Sequence, residues 1–469
     1  MKITQLYVYP IKALRPIPLQ HAQLTPQGIK YDRTFMLYHV KTKADGSSMS
    51  TELKKMQLSS YPQCALFEQT ILSREDSQKE VLVKWHAPSL PTGGSEGGEE
   101  LEQEQAEREK LKRLEAETIT VELDPPPRIE ELEKVEVDLH GSPTTCYKVG
   151  EEYDRWFSER FGFEVVFVYL GDGKRQILGT SLLPPTTASG AHSHSHASSR
   201  RQSGKLTPQQ QQQQHPQQKS GGGGGWLSSL ASLTSWFPTV PISVPGFVAI
   251  QAEREEEEQQ PKPWITFTDV APLLITSESS LSNVSARLAP ETTESTESTE
   301  STHPQVPMYK MRPNLVLDGK GEEAWAEDYW GELVVTSSAK SSPATEANGT
   351  TTRIKKTKTK LHLTGNCARC TSLNVDYDTG KTAKGEMGTV LKKLMKDRRV
   401  DPGMKWSPVF GRYGFVGETA VDEDGEEQDM EEGEEEREED MEREVWISVG
   451  DEVQVTKRNE ERTVMDWPF

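Results

Sequence analysis

The sequence predicts a mainly β (α+β) protein with two β-rich units interrupted by long disordered inserts. Three observations carry that expectation. Only 33% of the 469 residues are hydrophobic and 27% are charged, too little apolar matter for one fully packed body of this length. Five stretches have the biased composition of segments that bury too little apolar surface to offset chain entropy. The 286 residues that remain carry short runs of β-branched and aromatic residues more often than helical spacing.

The inserts come first because they set the boundaries. Residues 88–116 open with Pro and Gly and continue as a charged run with the character of a solvated helix. Residues 172–262 hold His192, His194 and His196, a glutamine run from Gln209 and five glycines from Gly221. Residues 289–306 repeat Thr-Glu-Ser, 337–354 are rich in Ser, Thr, Ala and Gly, and 418–444 are acidic. The expected domains are therefore 1–171, with its insert at 88–116, and 263–469, with the other three; 172–262 separates them.

In the first unit, Ile3, Leu6, Val8 and Ile11 begin a strand, followed by runs at 34–40, 80–85 and 118–123. Residues 154–161 have helical spacing, and 164–170 return to a strand. In the second unit a strand at 272–277 leads into a helix over 278–288 with Thr276 or Ser277 as N-cap. Strands follow at 315–317, 332–335, 354–363 and 445–455, with a further helix over 387–396. The 337–354 insert falls where an enlarged hairpin loop belongs.

The net charge of −20 is local. Between Asp422 and Glu444 sixteen acids stand against Arg437 and Arg443, a balance of −14, so the rest of the chain has an ordinary charge. No broad basic surface of a nucleic-acid binder is present. Four scattered cysteines do not make a disulfide framework and suggest a reducing compartment. No window reaches the ~18 to 20 apolar residues of a membrane span, and the N-terminus lacks signal-peptide features. The expected location is intracellular and cytosolic. Mitochondrial or peripheral membrane association is the alternative, the latter through 226–250, which holds Trp226, Trp236 and Phe237.

Cys367-Ala-Arg-Cys370 is the sharpest chemical feature. A Cys-x-x-Cys pair can be a zinc half-site, with His362 the one further ligand nearby, a redox dithiol, two buried thiols, or a loop presenting one thiolate to a soft metal. Spacing alone leaves these open.

The surrounding pattern goes further. In chain order it comprises Tyr9-Pro-Ile-Lys12, Tyr31-Asp-Arg33 with Phe35, Arg312-Pro-Asn314, Gly365-Asn-Cys-Ala-Arg-Cys370, Asp376-x-Asp-Thr-Gly380, Ser407-Pro-x-Phe-Gly-x-Tyr413 and Val449-Gly-Asp451. Together these resemble the MOSC family, and within it the subgroup with an N-terminal MOSC β-barrel domain typified by the mitochondrial amidoxime-reducing component. The resemblance implies a molybdenum cofactor (Mo-molybdopterin) with Cys370 as metal ligand and catalytic residue, and cofactor contacts from Lys12, Arg33, Arg312, Asn314, Arg369 and Tyr413. A soft sulfur donor suits a metal already held by dithiolene sulfur, and Arg suits a phosphate through its planar fork.

The implied function is an oxidoreductase acting on N-hydroxylated or related N–O substrates. Its electrons would come from an external donor such as a cytochrome b5-type protein and its reductase, toward which Lys355 to Lys360 and Lys392 to Arg399 would face. The alternative is a non-catalytic carrier of cofactor or of persulfide sulfur, and pyridoxal phosphate binding is a family-level possibility. Four hydroxyl-bearing positions of the resembled pattern are Ala13, Val270, Ala271 and Ala368 here, so backbone N–H groups at 270 and 271 are expected to serve in their place.

Overall fold

Strands dominate the residues described in the computed structural model, which are 1–45, 48–73, 79–88, 98–124, 129–184, 262–288, 304–338, 356–421 and 444–468. The mainly β expectation holds. Met1–Pro185 and Pro263–Phe469 form one compact unit; the second, Thr186–Lys262, has only Lys262 among the described residues. The apolar segment 226–250 and the His192/His194/His196 patch therefore lie outside the described residues. Among those described, no helix is long and apolar enough to cross a membrane.

One eight-stranded sheet draws on both ends of the chain. Its order is Ile17–Leu19, Ile3–Val8, Leu315–Leu317, Leu273–Ser277, Val409–Val421, Lys356–Ala368, Trp330–Ser338 and Glu452–Arg458. Ile3–Val8 runs antiparallel to Leu315–Leu317, with Leu6 opposite Leu315 and Ile3 opposite Leu317, all four buried. That joins the first β-rich unit to the second by strand pairing. The hairpin expected around 337–354 forms, since Trp330–Ser338 pairs antiparallel with Lys356–Ala368.

The longest ladder, Lys356–Ala368 against Val409–Val421, shifts register at three places. Such bulges bend a strand and re-aim its side chains near a site. The last lies between Asn366 and Ala368, beside the Cys-x-x-Cys. A Cβ at Gly365 would stand 2.4 Å from Leu182 Cδ2, so any larger residue in this bend must displace the buried Leu182 side chain.

A five-stranded sheet, ordered Lys134–Leu139, Ser142–Lys148, Val165–Tyr169, Phe35–Asp45 and Ser48–Lys55, belongs to the first unit. Helix Glu151–Phe161 packs on it. Glu151, Glu152 and Asp154 occupy its first turn, where the helix dipole favours acids, and Gly162 ends it at φ 77°. Trp156, Phe157 and Phe161 face inward onto Phe67 and Phe167. A side chain such as Phe157, with no exposed surface, contributes about 1.5 to 3 kcal/mol by burial. In the C-terminal half of the chain Ser277 is the N-cap of helix Glu278–Ala286, its hydroxyl accepting from Ser279 N at 3.2 Å.

Compositional insert boundaries prove too wide. Residues 172–184 are packed: Arg175 and Leu182 are fully buried, and Arg175–Gln176 pairs with Trp264–Ile265. Val306 is buried, and the strand Val409–Val421 continues through 418–421. The charged run forms the expected helix, Gly98–Ala116, but its last turn is docked, with Leu114 buried and its carbonyl accepting from Arg160 Nη2 at 2.7 Å. Leu114 lies in a run of charged residues and Leu182 in a stretch of Gly, Thr, Ser and Pro, and composition over a long window averages such apolar positions away.

Candidate functional site

The site is assembled from turns that leave the central sheet. After strand Ile3–Val8 the chain turns at Tyr9 and Pro10 and runs beside the segment before Phe35. Arg33 N donates to Tyr9 O at 2.8 Å and Lys12 N to Phe35 O at 2.9 Å. Asp32 fixes the turn from beneath by accepting from Tyr9 N at 2.9 Å. Three residues of the resulting cleft lie in the left-handed region, Ala13 (φ 75°), Arg33 (φ 53°) and Arg312 (φ 52°). That region costs a non-glycine residue on the order of 1 kcal/mol or more, so packing and hydrogen bonds hold these backbones where the chain alone would not.

The cleft encloses about 720 Å³, part of it open to solvent. All seven sequence-predicted site residues line it: Lys12, Arg33, Arg312, Asn314, Arg369, Cys370 and Tyr413. Ala13, Asp269, Ala271 and Ala368 share the lining, whereas Val270 is buried behind it. Four cations stand there against one carboxylate, Asp269, so the lining is positive.

Each cation is held differently. Arg33 pairs with Asp32 and donates to Asn314 Oδ1 at 3.2 Å. Burial is the largest influence and opposes its charge, but Asp32, Tyr9 and Asp269 together outweigh it, and the guanidinium titrates above the ordinary value. Arg33 and Arg312 both lie over the Tyr9 ring, 4.5 and 4.4 Å from its centroid. Arg312 donates to Leu14 O at 2.9 Å, and Arg369 to Met311 O at 2.9 Å. Asn314 is a structural pin as much as a lining residue: its Oδ1 also accepts from Leu274 N and its Nδ2 donates to Tyr7 O.

Lys12 Nζ donates to Phe267 O at 2.6 Å and to Asp269 Oδ1 at 2.5 Å. Burial lowers the ammonium to about 8, with Asp269 opposing that shift and Arg33 assisting it. The crowded position of Asp269 disfavours its charge, yet Lys12 and His140 more than compensate and hold the carboxyl well below the usual carboxylate range.

The two cysteines are unequal. Cys367 is 2% exposed and accepts from Arg369 Nη1 at 2.9 Å, whereas Cys370 is exposed, 3.2 Å from Ser372 Oγ. The Tyr413 phenol, packed against Cys367, is pushed well above its ordinary value, first by burial and then by Cys367 and Asp269. Cys370 is thus the thiol of this pair that an incoming group can reach.

Sequence reasoning missed Gln57, Leu58, Ser59, Leu274 and Ser372 in the lining, and three contributors that shape the Asp269 side of it. Thr268 lines the cleft one position before Asp269, whereas the resembled pattern carries its hydroxyls at the two positions after it. His140 reaches Asp269 from a hairpin turn distant in sequence. Arg175, assigned to an insert, donates to Thr266 O, Thr268 O and Leu139 O at 2.6 to 2.8 Å and so fixes the loop carrying Asp269.

The expected donor-facing basic stretches are corrected in part. Arg398 is buried in a bidentate pair with Asp328 (2.7 and 2.9 Å), leaving Lys392, Lys396 and Arg399 exposed. Of Lys355 to Lys360, Lys355 lies outside the described residues, and Lys356 to Lys360 occupy the far end of a strand whose other end carries Cys367, roughly 25 to 35 Å away at the usual rise per residue.

Three lining residues carry buried polar atoms with no hydrogen-bond partner: Thr268 Oγ1, Arg312 Nη2 and Arg369 Nε. All three are donor-capable, and buried orphan donors are costly unless a ligand accepts from them. The residues present therefore fit an anionic, oxygen-rich group beside an accessible thiol.

Comparison with known proteins agrees with this geometry. The MOSC N-terminal beta barrel domain family matches residues 1–164, and the MOSC domain family matches residues 262–454. Among curated proteins, the mitochondrial amidoxime-reducing component 1 of Homo sapiens is 28% identical over 158 residues, 33% of this chain and 35% of the relative. That of Mus musculus is 26% identical over 156 residues, 32% and 34% of the two chains. Each alignment spans about a third of the relative's length. With both domain families matched in chain order, over the segments that build the cleft, the chain carries a MOSC N-terminal beta barrel domain followed by a MOSC domain.

Proposed function

We propose that the cleft holds a molybdenum cofactor and that the protein is an oxidoreductase reducing N-hydroxylated or related N–O substrates with electrons from an external donor. The observation that carries this reading is the convergence, in one positive cleft, of three orphaned buried donors and one accessible thiol. The curated relatives are named for amidoxime reduction, which favours N–O substrates over other oxygen donors.

On this reading Arg312, Arg369 and Thr268 donate to the anionic part of the cofactor, and Lys12 and Arg33 add charge without a direct partner being required of them. The Thr268 hydroxyl offsets in part the hydroxyls absent at Ala13, Val270, Ala271 and Ala368. Tyr413 and the buried Cys367 close the wall behind Arg369, and Cys370 is the protein's sulfur ligand. The bound cofactor supplies a metal that cycles between oxidation states two electrons apart. The external donor, in the resemblance a cytochrome b5-type protein with its reductase, would find exposed cations at Lys392, Lys396 and Arg399 rather than at Lys356 to Lys360.

The exposed Cys370 thiol also favours a second reading, a non-catalytic carrier of cofactor or persulfide sulfur. Pyridoxal phosphate binding draws no support from the matched families. Turnover of a simple amidoxime by Mo-loaded protein with a reconstituted electron chain separates the two readings. The reductase reading expects amidine to form at the expense of donor electrons, and fully loaded protein that is inert leaves the carrier.

A further inference from the structure

His140 occupies a position that a hairpin would give to Asn or Gly. Leu139 pairs with Ser142, so His140 and Gly141 are the whole loop, and both have positive φ, 61° and 78°. Such turns favour Asn-Gly or Gly-Gly, and an imidazole contributes nothing to that backbone. What it does is reach the cleft wall. Its Nε2 lies 3.4 Å from Asp269 Oδ1 and 3.1 Å from Gln57 Nε2, and its carbonyl is pinned by Trp467 Nε1 at 2.9 Å.

The same oxygen, Asp269 Oδ1, accepts from Lys12 Nζ at 2.5 Å. One carboxylate atom therefore bridges a partly exposed imidazole at the rim and an ammonium that lines the cleft. Lys12 has three N–H donors; Phe267 O and Asp269 take two, and one remains for the cleft. Arg33 and Arg175 are the other charges acting on Lys12, and together with burial they bring its ammonium to about 8, so it gives up a proton readily near neutral pH.

We infer that His140 feeds protons from solvent through Asp269 to Lys12, and that Lys12 delivers them to the reaction in the cleft. This rests on the reductase reading. Reduction of an N-hydroxylated substrate breaks the N–O bond and consumes two electrons, supplied by the external electron-carrier protein, and two protons. One proton ends on the nitrogen and the other on the departing hydroxyl, which leaves as water. His140 touches neither substrate nor cofactor; it acts through Asp269, as a positioning and proton-supplying residue.

The test uses His140→Asn, which keeps a side chain suited to the left-handed turn but carries no exchangeable imidazole proton, and His140→Ala. Direct proton transfer to a reacting group is worth roughly 10²-fold or more, and a group that supplies the proton through two others, with solvent as a competing source, is worth less. Both variants are expected to keep wild-type Mo and pterin content, lose about 10- to 100-fold in kcat with little change in KM, show a larger solvent isotope effect, and recover in part with added imidazole. A readout independent of turnover is the Lys12 Nζ titration by lysine-labelled NMR in cofactor-free protein. With His140 gone, Lys12 no longer shares Oδ1, and its midpoint is expected to rise.

Wild-type kcat in the variants, or lowered kcat with Mo content lost and no imidazole rescue, overturns the proton feed, as does an unmoved Lys12 midpoint. Mo-loaded wild type that does not turn over sinks the reductase reading and the proton feed with it. Active wild type beside equally active variants sinks the proton feed alone.

Discussion

Arg369 Nη1 donates to Cys367 Sγ at 2.9 Å, and this contact divides the labour of the Cys-x-x-Cys. The guanidinium that precedes Cys370 in sequence turns back to the buried sulfur, which leaves the exposed one free for a ligand. A helix-opening dithiol would present its cysteines differently: here a short 3-10 turn, Thr371–Asn374, follows Cys370.

Selective thiol chemistry follows from that division. Cys64 and Cys146 are pushed up to about 12 by burial, and Cys367 is enclosed. Brief treatment of the native protein with iodoacetamide, read by peptide mass spectrometry, should label Cys370 and spare the other three, while denaturant exposes all four. Equal labelling of Cys367 in the native state contradicts this arrangement.

Lys12 gives the fold a signed pH dependence. Its folded value of about 8 lies below the ordinary 10.5, so between these the unfolded chain binds more protons and stability rises with pH. The penalty of burying the ammonium is fully present below pH 8 and gone above 10.5. Denaturant titrations of wild type and Lys12→Met should show the gap shifting toward wild type by up to about 3 kcal/mol across that window. A gap that does not change with pH removes the assignment.

Glu327 has the opposite sign. Burial raises its carboxyl to about 7, Ser280 donates to Oε2 at 2.7 Å, and Oε1 has no partner. The folded state then holds the extra proton between pH 4.5 and 7, and stability falls as pH rises through that range. Glu327→Gln should be more stable than wild type at pH 8 by up to about 3 kcal/mol, with the advantage vanishing near pH 4.5. Equal melting temperatures at pH 8 would count against it.

Arg175 anchors the Asp269 loop by donating to three backbone carbonyls at 2.6 to 2.8 Å. Removing it leaves those acceptors buried and unpaired, a loss of about 3 to 5 kcal/mol. Arg175→Met should lower the melting temperature markedly and reduce cofactor content even though Arg175 does not line the cleft. Full Mo content at normal stability would show that the loop holds without it.

Legibility of the sequence varied with the range of the signal. Continuous apolar runs such as 34–40 and 164–170 announced their strands because both faces are buried there, at every position of Val165–Tyr169 and from Phe35 to Tyr38, and Ser277 announced its cap by chemistry. Lys12, Arg33, Arg312, Asn314, Arg369, Cys370 and Tyr413 were legible as a set through motif order, and one cleft brings them together. Arg175 was hidden by polar neighbours, Leu182 by its place among Gly, Thr, Ser and Pro, and Thr268 because the resembled pattern carries its hydroxyls after the Asp rather than before it. His140 was hidden by distance, since its role depends on a hairpin tip meeting a loop 129 residues away. Short strands such as Ile17–Leu19 lacked enough residues to show a period.

The central claim is that Cys370 anchors a molybdenum cofactor in the positive cleft. Its most direct measurement is the Mo and pterin content of full-length wild type and Cys370→Ser produced in a cofactor-making host. One Mo and one pterin per wild-type chain, with Mo lost from the variant at unchanged melting temperature, is the predicted result. Wild type without Mo, or Cys370→Ser retaining all of it, would contradict the claim.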